Sequence, residues 1–500
     1  MRNLKLFTIS DSACNKVLSR IGAIMLWLIV WLLIALAVDN DLILVSPFVA
    51  LARLGRIVCS AAFASAVGFS FVRIVLGFSV GFAAAFALGI GAAHSRLLKT
   101  VLEPAVLALK STPIVCIIVL LLMWVGSKGV SALAVFLVVF PAIYLATLQG
   151  MESSSDDLQR LLEVFGVASA RQFLADGYQQ VLPYLIAASK HACGMAWKAG
   201  VAAELIGTPT GSMGYFIYQA KVLFEVGDVF AWTIAVVALS WLGEKCFVWL
   251  LAQSGGWALK LSLLGLTPSR ATAGQPTAGG RFVVKTSATG NRPTAGGVEL
   301  VRLCDAVLGY DCSYATDAFN FVLHQAECLV ICDPSGAGKT TFINSIAGLL
   351  PVLEGQRHVA PWLRFSLMSQ QTLLVEALSA VQNVQLVCGA YVSEHKIRTV
   401  LGELLMHDES EAVLDKPVCQ LSGGQRRRVE LVRALLHDSN VVLLDEPFSS
   451  LDYKTHEHAA QFVKDYLKGR ALLVASHASN EARLLDATAL ELFCKNSSDL

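Results

Sequence analysis

Asp333-Pro334-Ser335-Gly336-Ala337-Gly338-Lys339-Thr340-Thr341 decides the fold of this chain. Before it runs Cys328-Leu329-Val330-Ile331-Cys332, an apolar run that reads as a buried strand. After it comes Phe342-Ile343-Asn344-Ser345-Ile346-Ala347, which reads as a helix. Strand, small-residue turn and a helix carrying Gly-Lys-Thr form the setting of a phosphate-binding loop. In such a loop the backbone N–H groups and the helix N-terminus face the anion, and Lys339 reaches the outer phosphates. Thr340, the first threonine after the lysine, can hold Mg²⁺. The pattern G-x-x-x-x-G-K-[ST] lacks its first glycine, which here is Asp333.

The composition then divides the chain. Of 500 residues, 55% are hydrophobic and only 15% charged, with a mean hydropathy of +0.60. That is too apolar for an ordinary soluble enzyme, so part of the chain belongs in a lipid membrane. A net charge of +1 gives no sign of a nucleic-acid partner. The twelve cysteines form no C-x-x-C pair and read as reduced, mostly buried small hydrophobes.

The apolar part lies in the first half. Ile21 to Val38 has no charged side chain, and at ~1.5 Å per residue it spans roughly 27 Å, close to a bilayer core. It follows a basic start like that of a signal peptide, but it is longer than an h-region and lacks an A-x-A exit, so a first transmembrane helix is preferred. Further spans are expected near 69–93, 104–125, 130–149, 184–206 and 229–251, about six in all. Gly77, Gly81, Gly89 and Gly91 have the small-residue spacing of close helix packing. Arg2, Lys5, Lys16, Arg20, Arg96, Lys99, Arg160 and Arg171 fall on one side, against Arg53, Arg56, Lys128 and Lys221 on the other. This bias puts the N-terminus, and everything after 251, in the cytoplasm, where the phosphate loop meets ATP. Between two spans, Glu152 to Pro183 carries Leu158, Leu161, Leu162, Phe165 and Phe173 at helical spacing among charges, and reads as a docking element. The domains expected are 1–252 in the membrane, a Thr-Ala-Gly-rich flexible linker at 253–297, and 298–500 as the ATP-binding domain.

The second half places further chemistry in a fixed order. Gln370 ends a short strand and can reach Mg²⁺ or a water. Leu421-Ser422-Gly423-Gly424-Gln425 opens a helix as a second anion cradle. Val441 to Leu444 is a buried strand ending in Asp445, suited to Mg²⁺, and Glu446, suited to polarise an attacking water. Ser449-Ser450-Leu451-Asp452 follows at once. Another strand, Ala471 to Ser476, ends at His477, which can contact the γ-phosphate. Tyr310, upstream of the first core strand, can stack on adenine.

As an ordered set these residues resemble the ATP-binding subunit of ATP-binding-cassette (ABC) transporters, over about 298–500. The resemblance implies an α/β P-loop NTPase. Its Walker A loop is Asp333–Thr341 and its Q-loop residue Gln370. The signature is Leu421–Gln425, Walker B Val441–Glu446, the D-loop Ser449–Asp452 and the H-loop residue His477. It also implies a head-to-tail pair, with Ser422 and Gly424 of one copy acting on ATP held by Lys339 of another, hence a homodimer or a second cassette protein. Residues 60–250 resemble the all-α permease of binding-protein-dependent, type I importers in the taurine, sulfonate and nitrate branch. They do so through Ser70–Phe78, Glu103-Pro104, Ser111-Thr112-Pro113, Trp124-Val125-Gly126 and Ala196–Glu204. That family docks its cassette through an E-A-A…G motif; here Gly166 fits the glycine, but Arg160-Leu161-Leu162 replaces E-A-A. The implied activity is ATP-driven import with an extracytoplasmic solute-binding protein. Sulfonate, nitrate, bicarbonate-like anions and thiamine-precursor pyrimidines are open as substrates. The alternatives are an exporter, and a membrane-anchored regulatory ATPase weakened by Asp333.

Overall fold

The computed structural model describes residues 4–153, 155–264, 298–309, 316–334, 336–405, 413–449, 453–477 and 480–492. They form two compact units. The first joins 1–153 to 180–254; the second joins 154–179 to 255–500. The expected linker therefore splits: 253–264 continues a helix, and 265–297 lies outside the described residues.

The first unit begins with α1 (Leu4–Val38), α2 (Pro47–Val58), α3 (Ala61–His94), α4 (Arg96–Ser111) and α5 (Ile114–Glu152). Ser60 caps α3 by accepting the Phe63 N–H at 3.2 Å. Gly77, Gly81 and Gly89 of α3 serve close approach to α5, while Gly91 faces Leu98 of α4. A Cβ at Gly77 would sit 2.2 Å from the Ala132 carbonyl oxygen, and one at Gly89 2.7 Å from Thr147. The span expected at 104–125 is not one helix. α4 stops at Ser111 because Pro113 has no N–H and forces Thr112 out of the helical region. α5 is broken in turn at Gly126, with φ 72° and ψ 175°.

Next in the chain are α6 (Asp156–Val164), α7 (Ser169–Gln172) and a π-turn at Phe173–Gly177. Then come α8 (Tyr178–Gly207), α9 (Met213–Val222) and α10 (Val226–Leu264). Among the described residues four helices are long and apolar enough to cross a membrane: Ile21–Val38, Ala61–His94, Ile114–Glu152 and Val226–Leu263. α8, at 30 residues, has the length but carries Lys190, His191, Lys198 and Glu204. Cysteine burial also differs from expectation. The nine cysteines whose side chains are described are free, but Cys59, Cys116, Cys246 and Cys419 are exposed, three of them on or beside apolar helices of the first unit.

The second unit has two sheets. β1 (Glu299–Val307), β2 (Phe319–His324) and β4 (Glu354–Val359) form an antiparallel sheet in the order β2-β1-β4. β3 (Cys328–Ile331), β5 (Phe365–Met368), β6 (Val441–Asp445), β7 (Ala471–Ala475) and β8 (Thr488–Leu490) form a parallel sheet in the order β5-β6-β7-β3-β8. The helices are α11 (Lys339–Ala347), α12 (Ala380–Cys388), α13 (Glu394–Leu405), α14 (Gly423–Leu436), α15 (Tyr453–Leu467) and α16 (Asn480–Leu484). β6 and β7 are buried at every residue, as expected of a parallel sheet covered on both faces. Val442 and Leu444 join α12–α15 in one core, while Val441 and Leu443 join α11 and the antiparallel sheet in the other.

Candidate functional site

The parallel register brings the motifs to one edge. Ile331 of β3 pairs with Ala475 of β7, Ala475 with Asp445 of β6, and Leu444 with Met368 of β5. The chain just beyond each strand, namely Asp333, His477, Glu446 and Gln370, therefore emerges at the carboxyl edge, where open α/β sheets bind ligands.

The phosphate loop is shaped by Gly336 at φ 82° and Gly338 at φ 102°, conformations open to glycine at little cost. Gly338 caps α11, and its carbonyl accepts the Phe342 N–H at 2.9 Å. Lys339 is buried. Its ammonium donates to the carbonyls of Asp333 and Pro334, the latter at 3.2 Å, and lies 3.1 Å from His477 Nδ1. All three of its hydrogens are thus engaged. Asp333, 1% exposed, turns its carboxylate towards the end of β8, where Oδ2 accepts the Leu492 N–H at 3.0 Å. The carboxylate that replaces the glycine is tied into the sheet end.

His477 Nε2 lies 2.6 Å from Glu446 Oε1. With Nδ1 facing the lysine ammonium, the proton belongs on Nε2, which donates to the carboxylate. Glu446 is held at φ 48°, a strained setting for a residue with a side chain. Asp445 is buried and accepts a hydrogen bond from Thr340. Burial pushes its carboxyl up, and the Thr340 bond opposes the shift. Among the described residues no group of three or more His, Cys, Asp or Glu could hold a metal alone. The adjoining oxygens of Thr340 and Asp445 do fit Mg²⁺, which takes few protein ligands and completes its shell with phosphate and water.

The signature is a capping box. Ser422 Oγ accepts the Gln425 N–H at 3.3 Å, and Gln425 Oε1 accepts the Ser422 N–H at 2.7 Å. Gly423 and Gly424 open α14, at whose N-terminus the helix dipole is positive. Further along α14 lies a feature that sequence reasoning missed. Arg427, Glu430 and Arg433 are all buried, one turn apart. Glu430 accepts the Leu373 N–H at 2.7 Å and meets Arg427 at 3.0 Å and Arg433 at 3.6 Å. Arg433 donates to the Leu373 carbonyl at 2.6 Å. Arg427 donates to the carbonyls of Ser369, Asp445 and Glu446. The triad therefore fastens the segment after Gln370 and the strand end at Glu446 to one helix. Its signal in the sequence was the i, i+3, i+6 spacing.

The segment 155–179 packs in the same unit. Leu158, Leu161, Leu162 and Phe165 join the core with β5 and β6. Phe165 meets the His437 ring edge-on at 5.0 Å, and the Arg433 guanidinium lies 5.3 Å from its centroid. Arg171 donates to the Leu386 carbonyl at 3.1 Å. Gly166, at φ 70°, ends α6 with Gly166 N–H donating to the Glu163 carbonyl and Val167 N–H to that of Leu162, a Schellman turn.

Lys339, Thr340, Asp445, Glu446 and His477 are thus brought together, and Gln370 stands exposed beyond β5. Ala337 N–H donates to the Pro334 carbonyl within the loop, and Thr341 lies in α11. Tyr310, Ser335 and Asp452 lie outside the described residues.

Residues 316–449 match the ABC transporter family model. Residues 83–253 match that of the binding-protein-dependent transport system inner membrane component. An uncharacterised ABC transporter ATP-binding protein of Haemophilus influenzae is 30% identical over 186 residues, 37% of this chain and 78% of its own length. A second, from Methanocaldococcus jannaschii, is 30% identical over 198 residues, 35% of this chain and 84% of its own. The taurine import ATP-binding protein of Pelagibacter ubique is 32% identical over 183 residues, 34% of this chain and 68% of its own. Phosphate loop, signature, acidic strand end and histidine on one cassette, joined to a helical permease half, make this chain a member of the ABC transporter family, with permease and ATP-hydrolysing domain fused.

Proposed function

We propose that this chain is half of an importer of the cytoplasmic membrane. Two copies would supply two permease halves and two cassettes, and an extracytoplasmic binding protein would deliver a small solute. The observation that carries the reading is the juxtaposition of Lys339, Asp445, Glu446 and His477 in a chain that also matches an importer-type permease. Relatives named for taurine and thiamine import favour a small organic solute.

Lys339 would exchange its loop carbonyls for the outer phosphates of ATP. Thr340 and Asp445, with Gln370 moving in, would hold Mg²⁺, which supplies charge neutralisation on the phosphates. Glu446 would take the proton of the attacking water, while the His477 N–H keeps its carboxylate oriented. The α14 N-terminus of the second copy, with Gly424 and Ser422, would close the site. The segment 155–179 would carry nucleotide state to the permease, because it continues into α8.

The test is ATP turnover of the full chain in proteoliposomes, with its binding protein added. Stimulation by the loaded binding protein supports the importer. Stimulation by lipophilic compounds and none by the binding protein refutes it in favour of an exporter.

A further inference from the structure

α8 differs from the other long helices of its unit in what it leaves uncovered. Its packed face includes Leu185, Ser189, Ala192, Ala196, Trp197, Gly200 and Glu204. Its open face runs through Ala187, Lys190, His191, Gly194 and Lys198 at three- and four-residue steps. α3, α5 and α10 expose large apolar side chains such as Val72, Met123 and Trp241, as lipid requires. On α8 the one large apolar side chain so exposed is Ile206, in the last turn.

Lipid does not tolerate such a face. A cationic side chain at membrane depth faces water or the interior of a bundle, and Lys198 lies roughly 12 Å further along the helix than Lys190. Among the described residues neither lysine, nor His191, has an ion pair or hydrogen bond. The one carboxylate buried in α8 is committed elsewhere: Glu204 Oε2 accepts from the Ser70 hydroxyl at 2.6 Å and from the Gly214 N–H at 3.4 Å. Glu244 of α10 stands near Cys193 on the neighbouring face of α8 but makes no ion pair with either lysine, so the stripe presents unpaired positive charge at successive depths.

We infer that the Lys190–His191–Lys198 face of α8 lines a water-filled path between two copies of this chain and binds an anionic solute there, with Lys198 the deeper contact. A small sulfonate, carboxylate or oxyanion suits a lysine standing alone as a point charge. This rests on the importer reading for the existence of a path and deepens it by naming the class of solute.

The test reads charge and water access at the stripe without needing transport. Gly194→Cys sits between the lysines where a side chain meets nothing within 4 Å, and Ala187→Cys on the same face is a second reporter. Val237→Cys on the exposed apolar face of α10 is the lipid control. The full chain in lipid nanodiscs is treated with methanethiosulfonates bearing a sulfonate or a trimethylammonium group. Peptide fragmentation separates each site from native cysteines such as Cys193. With each rate normalised to that of the same reagent on a free thiol in solution, the sulfonate reagent should modify the α8 sites about tenfold faster than the cationic one, while the control resists both. Lys198→Gln should lower the ratio at Gly194→Cys, and Lys190→Gln combined with Lys198→Gln should bring it close to one. Equal rates, a cationic preference, or labelling only by a neutral maleimide would each overturn the inference. Failure of the importer reading would show separately, as absent stimulation by a binding protein with the charge preference intact.

Discussion

Replacing Glu430 with glutamine should loosen the cassette at a defined place. The carboxylate has no exposed surface and serves three groups: the Leu373 N–H at 2.7 Å, Arg427 at 3.0 Å and Arg433 at 3.6 Å. Glutamine keeps the shape but removes the charge, leaving two buried guanidinium groups without a counterion. Breaking a buried ionic group in this way costs about 3–5 kcal/mol. In a domain of this size that lowers the melting transition by roughly 10 °C. The loss should be local before it is global. Hydrogen exchange in the peptide containing Leu373 should quicken first, and ATP turnover should fall more than ATP affinity, because Gln370 shares that segment. The paired change Glu430→Met with Arg433→Met removes the carboxylate together with one of the two guanidinium groups, leaving only Arg427 without its counterion, and should recover part of the stability without restoring turnover. A loss below about 1 kcal/mol for Glu430→Gln, or unchanged exchange around Leu373, would refute the view that the triad holds this segment.

Glu446→Gln should lower turnover by about a hundredfold or more while ATP still binds, measured by phosphate release and by nucleotide retention. Asp333→Gly should not speed hydrolysis, since the carboxylate faces Leu492; instead it should destabilise the cassette by about 1–3 kcal/mol in thermal melts. Burial, with Arg364 nearby, pushes His437 down to about 4 from its ordinary 6.5. Between those values the unfolded chain binds the proton and the fold does not, so stability is complete above pH 6.5 and declines as pH falls, by at most about 3 kcal/mol. Melting from pH 7.5 to 4.5 should show the slope, and His437→Gln should flatten it.

The grouping of the candidate site residues was legible because they are adjacent in sequence to strands whose ends the parallel register aligns. Apolar runs at 328–332, 441–444 and 471–475 announce β3, β6 and β7, and the polar residues that follow them are the ones the fold brings together. Gly166 is singled out through the resemblance to the docking motif, and its φ of 70° gives the physical reason for a glycine there. Three other features depend on tertiary placement. Arg426-Arg427-Arg428 looks like a solvated face, and only packing shows that Arg427 is turned inwards. The break at Thr112-Pro113 was visible as a proline, yet the surrounding hydrophobicity masked it. The apolar side of 158–165 calls for a partner without naming one, and the core it joins comes from strands some 200 residues later.

The segment 155–179 packs on the cassette through Leu158, Leu161, Leu162 and Phe165, and Arg160-Leu161-Leu162 stands where the resemblance to importer permeases places E-A-A. Fusion lowers the affinity that this contact has to supply. When permease and cassette are separate proteins, the docking face alone must recruit one to the other from dilute solution. Here one polypeptide holds both, at an effective concentration on the order of millimolar. A contact with a dissociation constant of micromolar strength would then be almost always made. The interface therefore has no need to be tight to stay assembled, and its strength can be set by how readily it shifts during turnover.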